Sequence, residues 1–155
     1  MRPISVPDAA VEVDAGGHRL PVGVPALRRL AHFVLQRERV RHAMLSIAFI
    51  SRRGMAAMNR AHLNRRGATD VIAFSLDRPT PGALLVGDVY IAPDVVRAQA
   101  RRLRVPIREE LARVVVHGVL HAVGYDHPDT DGRESSPMWR RQERLLNAAR
   151  TGGIW

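Results

Sequence analysis

The chain has 155 residues, no cysteine and a formal net charge of +9, and all 24 of its basic residues are arginine. Without cysteine there are no thiol nucleophiles, disulfides or cysteine-bearing zinc fingers, and without lysine there is no Schiff-base chemistry and no lysine-dependent phosphate loop. A chain of this size fits a single domain over residues 1–155, large enough to bury roughly two thirds of its unfolded surface.

The opening segment, MRPISVPDAA, lacks the apolar centre of a secretory signal, and the longest apolar run is too short to span a bilayer. The expectation is a cytoplasmic protein with no membrane partner. Residues 9–14 and 18–22 read as weak strands around Gly16-Gly17, with Pro21 limiting the second to a sheet edge. Over residues 25–39, Leu27, Leu30, Ala31, Val34 and Leu35 recur at helical spacing and are opposed by arginines. MLSIAFI, residues 44–50, reads as a buried strand. Ser51 can cap a helix running to about residue 63, with Met55, Met58 and Ala61 turned inward as core filler.

Residues 70–75 and 84–91 are a second pair of strand candidates, separated by the turn-forming PTPG. Pro93 and Asp94 open a helix through about residue 103, and another begins near Ile107 with Glu109 and Glu110 in the first turn, where carboxylates complement the helix dipole. Residues 128–136 are polar and turn-rich, and residues 137–149 form a last amphipathic helix through Met138, Leu145 and Leu146. This order predicts an α+β fold: a single mixed β-sheet of about four strands flanked by about five helices, with at least one antiparallel hairpin rather than a doubly wound parallel sheet.

The main chemical signal is HGVLHAVGYDH, residues 117–127. His117 and His121 are four apart, so on a helix they lie one turn above the other on the same face. Gly124 can end that helix in a left-handed cap, carrying His127 back toward the pair, and Pro128 argues against a resumed helix. A single histidine on an apolar helix is ordinarily a core residue. Three at ligand spacing around a glycine stop point instead to a metal held on a helix and the loop after it. Three imidazoles leave a tetrahedral zinc one open position, as catalytic sites do, although imidazole also suits nickel, copper and iron. Peptidases of the H-E-x-x-H type carry a glutamate after the first histidine, and here that position is Gly118.

Charge is unevenly distributed. Residues 28–66 hold ten arginines against the single acid Glu38, whereas residues 105–134 hold six acids against three arginines. Arginine forks onto phosphate oxygens, so the basic half predicts a polyanionic partner. Few aromatic residues are present, which favours backbone and shape recognition over base stacking.

HGVLHAVGYDH, together with LLVGDVYIAPDVV and ATDVIAFS, resembles the YbeY family of bacterial ribosomal RNA maturation factors, which are metal-dependent endoribonucleases. The resemblance runs from about residue 44 to the end of the last helix. It implies one Zn2+ per chain, bound by His117, His121 and His127, and a mixed sheet with the first two ligands on a central helix. Where family members commonly show Leu-Asn, Tyr-Arg and Pro-Thr-Asp, this chain has Met58-Asn59, His62-Leu63 and Ala68-Thr69-Asp70. Leu63 therefore stands at the family's arginine, a residue associated there with RNA processing. Arg65 and Arg66 are close enough in sequence to supply that charge as RNA-binding residues.

The implied function is zinc-dependent endonucleolytic cleavage of single-stranded RNA in maturation of the small-subunit ribosomal RNA 3′ end and in ribosome quality control. The expected partners are ribosomal RNA, the small ribosomal subunit and a ribosomal protein. A zinc-stabilised assembly factor that binds RNA without cutting is the alternative, followed by a metallopeptidase. No residue is assigned as the catalytic proton acceptor: Asp70 and Asp88 read as turn caps or as groups that orient a ligand histidine, Asp126 as a turn-shaping residue, and His62 as a solvent-facing loop residue in preference to a fourth functional histidine.

Overall fold

A computed structural model describes residues 8–127 and 132–155. The expectations for the first seven residues and for residues 128–131 therefore lie outside the described residues. Among those described, one four-stranded sheet has the order β1-β2-β4-β3. β1 (Ala10–Asp14) runs parallel to β2 (Ala43–Phe49), β2 parallel to β4 (Leu85–Ile91), and β3 (Val71–Ser75) antiparallel to β4. The mixed sheet and its hairpin match the expectation from the sequence.

Because successive side chains on a strand point to opposite faces, each strand divides its residues between two environments. Leu85, Val89 and Ile91 of β4, with Leu45 and Ile47 of β2, enter the main core. That face is covered by α1 (Val24–Arg37) and α4 (Ile107–Val123), with α5 (Pro137–Thr151) against both helices. On the other face, Ile72, Phe74 and Tyr90 meet Met55 and Met58 of α2 (Arg52–Leu63). α3 (Pro93–Leu103) follows β4 and lies against α4.

β2, expected as a buried strand, is buried on one face only: Leu45, Ile47 and Phe49 are inside and Met44 is 54% exposed. Residues 18–22, expected as an edge strand, form none. Gly16 and Gly17, both at positive φ, turn the chain out of the sheet; Val22 is then drawn into the core, and the Pro21 carbonyl accepts from Arg108 of α4 at 3.2 Å. Ser51 caps α2 as expected, accepting from Gly54 N at 3.0 Å. Its buried residues are Met55 and Asn59, whereas Ala61, expected to face inward, is exposed.

Candidate metal centre

The position of α4 is set by two glycines. A Cβ on Gly118 would stand 2.6 Å from Val89 Cγ1 and 3.1 Å from Val71 Cγ2, and a Cβ on Gly87 would stand 3.3 Å from Ala122 Cβ. Glycine on the helix faces β3 and β4, and glycine on β4 faces the helix, so the two elements approach more closely than side chains would allow. The helix ends at Gly124, with φ 128°, where Gly124 N donates to His121 O at 3.0 Å and Tyr125 N donates to Leu120 O at 3.0 Å. This closure turns the chain so that His127 returns toward α4.

The three histidines converge. Their ring centroids are 4.6 Å apart for His117 and His121, 5.1 Å for His117 and His127, and 4.9 Å for His121 and His127. One ligand atom from each lies within 4.8 Å of the other two. His121 Nδ1 is 2.9 Å from the Tyr125 carbonyl oxygen, which can only accept, so Nδ1 carries the proton and the Nε2 lone pair is left for an ion. His117 Nδ1 is 2.6 Å from Gln142 Oε1, which selects the same tautomer. Three convergent imidazoles, two of them with Nδ1 held by a protein acceptor, fit a metal such as zinc.

Burial favours the neutral form of His117 and His121. His117 is only 5% exposed, and burial, reinforced by the neighbouring His121, pulls its pKa from 6.5 to about 3. Burial, then the proximity of His127, lowers His121 as well. A cation therefore meets little proton competition at either ring near neutral pH.

The supports of the centre extend to both ends of the chain. Gln142, 1% exposed, comes from α5. Tyr125, whose carbonyl orients His121, donates its hydroxyl to Glu38 Oε2 at 2.9 Å, and Glu38 Oε1 accepts from Arg141 of α5 at 2.6 Å. Burial, followed by the carboxylate of Glu38, holds the Tyr125 phenol above its usual pKa, so it remains a donor. The single acid of the basic half thus ties the end of α1 to the metal loop.

A cavity of about 350 Å3 opens over the histidines, with Leu63, Arg65, Asp70, Asp126 and Arg133 among its lining residues. Arg65 reaches it because Asn59 pins the loop after α2, with Nδ2 donating to Gly67 O at 2.9 Å and the Asn59 carbonyl accepting from Arg65 N at 3.2 Å. Arg66 is exposed and is not among the residues that line this cavity. Leu63 lies in the same cavity and is 42% exposed. His62 ends α2 exposed, its ring edge-on to Phe74 at 5.5 Å, and is not in the histidine cluster. Thus it lies on a helix rather than in a loop.

The acids divide as follows. Asp126 accepts from His127 N at 2.8 Å and shapes the turn. Asp70 lines the cavity but accepts from Thr69 Oγ1 at 3.3 Å and Gln99 Nε2 at 3.2 Å, touching no ligand histidine. Asp88 is opposite Ser46 in the strand register and accepts its hydroxyl at 2.6 Å. Val89, one residue on, faces α4, so Asp88 points to the other side of the sheet and cannot orient a ligand. Glu110, expected to serve the helix dipole, is 2% exposed and accepts from Arg113 at 2.9 Å and Gln99 at 2.9 Å.

Reading the sequence did not find Arg133, Gln142 or Tyr125. Arg133 lies in a short 3-10 turn, Arg133–Ser135, with a guanidinium nitrogen 3.4 Å from His117 Nε2. Nothing in its local sequence distinguishes it from the other arginines. Gln142 did leave a signal, since it interrupts the buried stripe Met138, Leu145, Leu146 and Ala149 with an amide.

A mixed sheet carrying three convergent imidazoles on a central helix and its return loop defines an α+β protein with a histidine centre able to hold a metal ion. The sequence profile of the family described as Endoribonuclease YbeY matches residues 24–150. The Endoribonuclease YbeY of Thermobifida fusca is 37% identical over 136 residues, covering 80% of this chain and 86% of that protein. That of a Nocardioides species is 33% identical over 146 residues, covering 89% and 95%. The chain belongs to the YbeY family. The solution structure of TM1509 from Thermotoga maritima has the same fold, with a TM-score of 0.60 at 22% identity over 94% of this chain and 95% of that one. No helix among the described residues is long and apolar enough to cross a membrane.

Proposed function

We propose that this protein is a zinc-dependent endoribonuclease that cuts single-stranded RNA in maturation of the small-subunit ribosomal RNA 3′ end. Membership of a family described as endoribonucleases supports the reaction class. The observation that carries it to this chain is the meeting, in one cavity, of three imidazoles with Arg65 and Arg133. His117, His121 and His127 would hold one Zn2+, which supplies Lewis-acid polarisation of a phosphoryl oxygen and an acidified water. The protein's own part is electrostatic and positional. Gln142 and Tyr125 fix the ring orientations, and Arg65 and Arg133 offer guanidinium forks to the phosphates on either side of the reacting one. Among the described residues, the carboxylates lining the cavity are Asp70 and Asp126, and both are already engaged in hydrogen bonds. Partners consistent with this chemistry are ribosomal RNA, the small ribosomal subunit and a protein bound to it.

One observation favours a second reading, a zinc-stabilised assembly factor that holds RNA without cutting it: the cavity position of the family arginine is filled by Leu63. The deciding experiment is cleavage of a labelled single-stranded RNA ending in the small-subunit 3′ precursor sequence, with wild type and His121→Ala purified in parallel. Cleavage lost only in the variant supports the nuclease. Equal cleavage by both exposes a contaminant, and tight binding without cleavage favours the assembly factor.

A further inference from the structure

A second cavity, of about 610 Å3, adjoins the first and shares Thr69, Asp70, His117 and Arg133 with it. Most of its remaining lining comes from α3, α4 and α5, with Ala68, Val105 and Glu134 added from the segments between elements. We propose that this cavity receives a nucleobase of the RNA chain whose backbone crosses the metal centre, and that Gln99 selects bases with an exocyclic amino group over uracil. The inference rests on the ribonuclease reading and adds a specificity subsite to it.

Gln99 is the deciding residue because its amide cannot turn over. Its Nε2 donates to Asp70 Oδ2 at 3.2 Å and to Glu110 Oε1 at 2.9 Å. Both partners are carboxylate oxygens that only accept, so both amide hydrogens are committed and the carbonyl is fixed on the other side. Oε1 accepts no hydrogen bond among the described residues and is not sealed from solvent, and it belongs to a side chain that lines the cavity. The anchor is firm. Glu110 is buried and also accepts from Arg113 at 2.9 Å, and Arg113 donates to Glu143 at 2.8 Å.

A lone, pre-oriented carbonyl acceptor reads the amino group of cytosine, adenine or guanine. Uracil presents a carbonyl oxygen where cytosine presents its amine, and two acceptors would then face one another. The rest of the cavity suits a base. Trp139 and Val114 supply apolar surface for its faces, and Arg133, shared with the histidine cavity, stands where the sugar-phosphate backbone would pass between the two. Because the donors and acceptors are already held, little ordering cost opposes the selection.

The test uses the full zinc-loaded chain in low salt, with fluorescence anisotropy reading its affinity for labelled single-stranded oligo(C) and oligo(U) of equal length. Oligo(C) should bind roughly three- to tenfold more tightly, the value of one neutral hydrogen bond. Oligomers of N4,N4-dimethylcytosine keep the ring but have no amino hydrogen, and they should fall to the oligo(U) level. Gln99→Met should bring oligo(C) to that level as well. The dimethylated RNA decides the matter on wild-type protein even where the variant folds poorly. Equal affinity for oligo(C) and oligo(U), or a preference that survives dimethylation, overturns the subsite while leaving the ribonuclease reading in place. Binding of neither RNA overturns both.

Discussion

Gly118 lies directly against Val89: a Cβ on the glycine would stand 2.6 Å from the valine Cγ1. The position at which a zinc peptidase carries its glutamate here faces β3 and β4 with no room for a Cβ. No carboxylate could be placed there without lifting the helix and moving both ligand histidines with it. The departure from the peptidase motif is thus a packing necessity of this fold.

Gly118→Ala should therefore destabilise the protein. Alanine gains about 1 kcal/mol of helix propensity over glycine, but forcing a methyl group into a closed contact costs roughly 1–3 kcal/mol, and Val89 is fully buried. A net loss of about 1 kcal/mol in urea denaturation, with weakened metal binding, is the expected outcome. A stabilised variant would show that α4 sits on the sheet more loosely than its glycine contacts require.

Gln142 should matter to the metal without touching it. Gln142→Leu fills a similar volume but removes the acceptor of His117 Nδ1, leaving a buried ring nitrogen unpaired. Loss of such an orienting partner typically lowers metal affinity 10- to 100-fold, and the unpaired group costs about 1–3 kcal/mol. Chelator competition measures the first effect and denaturation of the metal-free protein the second. Unchanged zinc affinity would remove Gln142 from the centre.

The local part of this site was legible in the sequence because it is carried by nearby residues. His117 and His121 lie on one helix face, Gly124 ends the helix, and His127 follows within three residues, so spacing alone brings all three together. The supporting groups were not legible, since Gln142 meets His117 across 25 positions and Glu38 meets Tyr125 across 87. Such pairings depend on how α1, α4 and α5 dock. For the same reason Asp88 could not be assigned a face until the strand register put Ser46 beside it. The alternation of β2 and the loss of the strand over residues 18–22 are also tertiary outcomes, because they depend on what covers each sheet face and on where Val22 finds its cavity.

The metal-free protein should lose stability on mild acidification. His117 has its folded pKa depressed to about 3 from 6.5, mainly by burial, and His121 shifts in the same direction. Between those values the unfolded chain takes up a proton that the folded chain refuses. The stability present above pH 6.5 is thus lost as pH falls toward 3, by at most roughly 1.4 kcal/mol per unit for His117. Urea denaturation at pH 7, 6 and 5 checks this against His117→Leu, whose profile should be flatter. Parallel profiles for the two proteins would show that His117 does not resist protonation in the fold.

The arginines offer a prediction that separates position from charge. Arg65 and Arg133 line the histidine cavity, whereas Arg66, adjacent in sequence and equally charged, does not. Each arginine that neutralises one phosphate of a single strand contributes about 0.7 to the slope of log affinity against log salt. Replacing Arg65 or Arg133 with alanine should reduce that slope by roughly this amount and weaken binding of all single-stranded RNAs alike, because phosphate contacts carry no sequence information. Arg66→Ala removes the same formal charge from outside the cavity and should change the slope by much less. Filter-binding titrations at several salt concentrations distinguish the cases. Equal effects from Arg65 and Arg66 would mean that RNA is held by the basic surface as a whole, and that the path of the backbone does not pass over the three histidines.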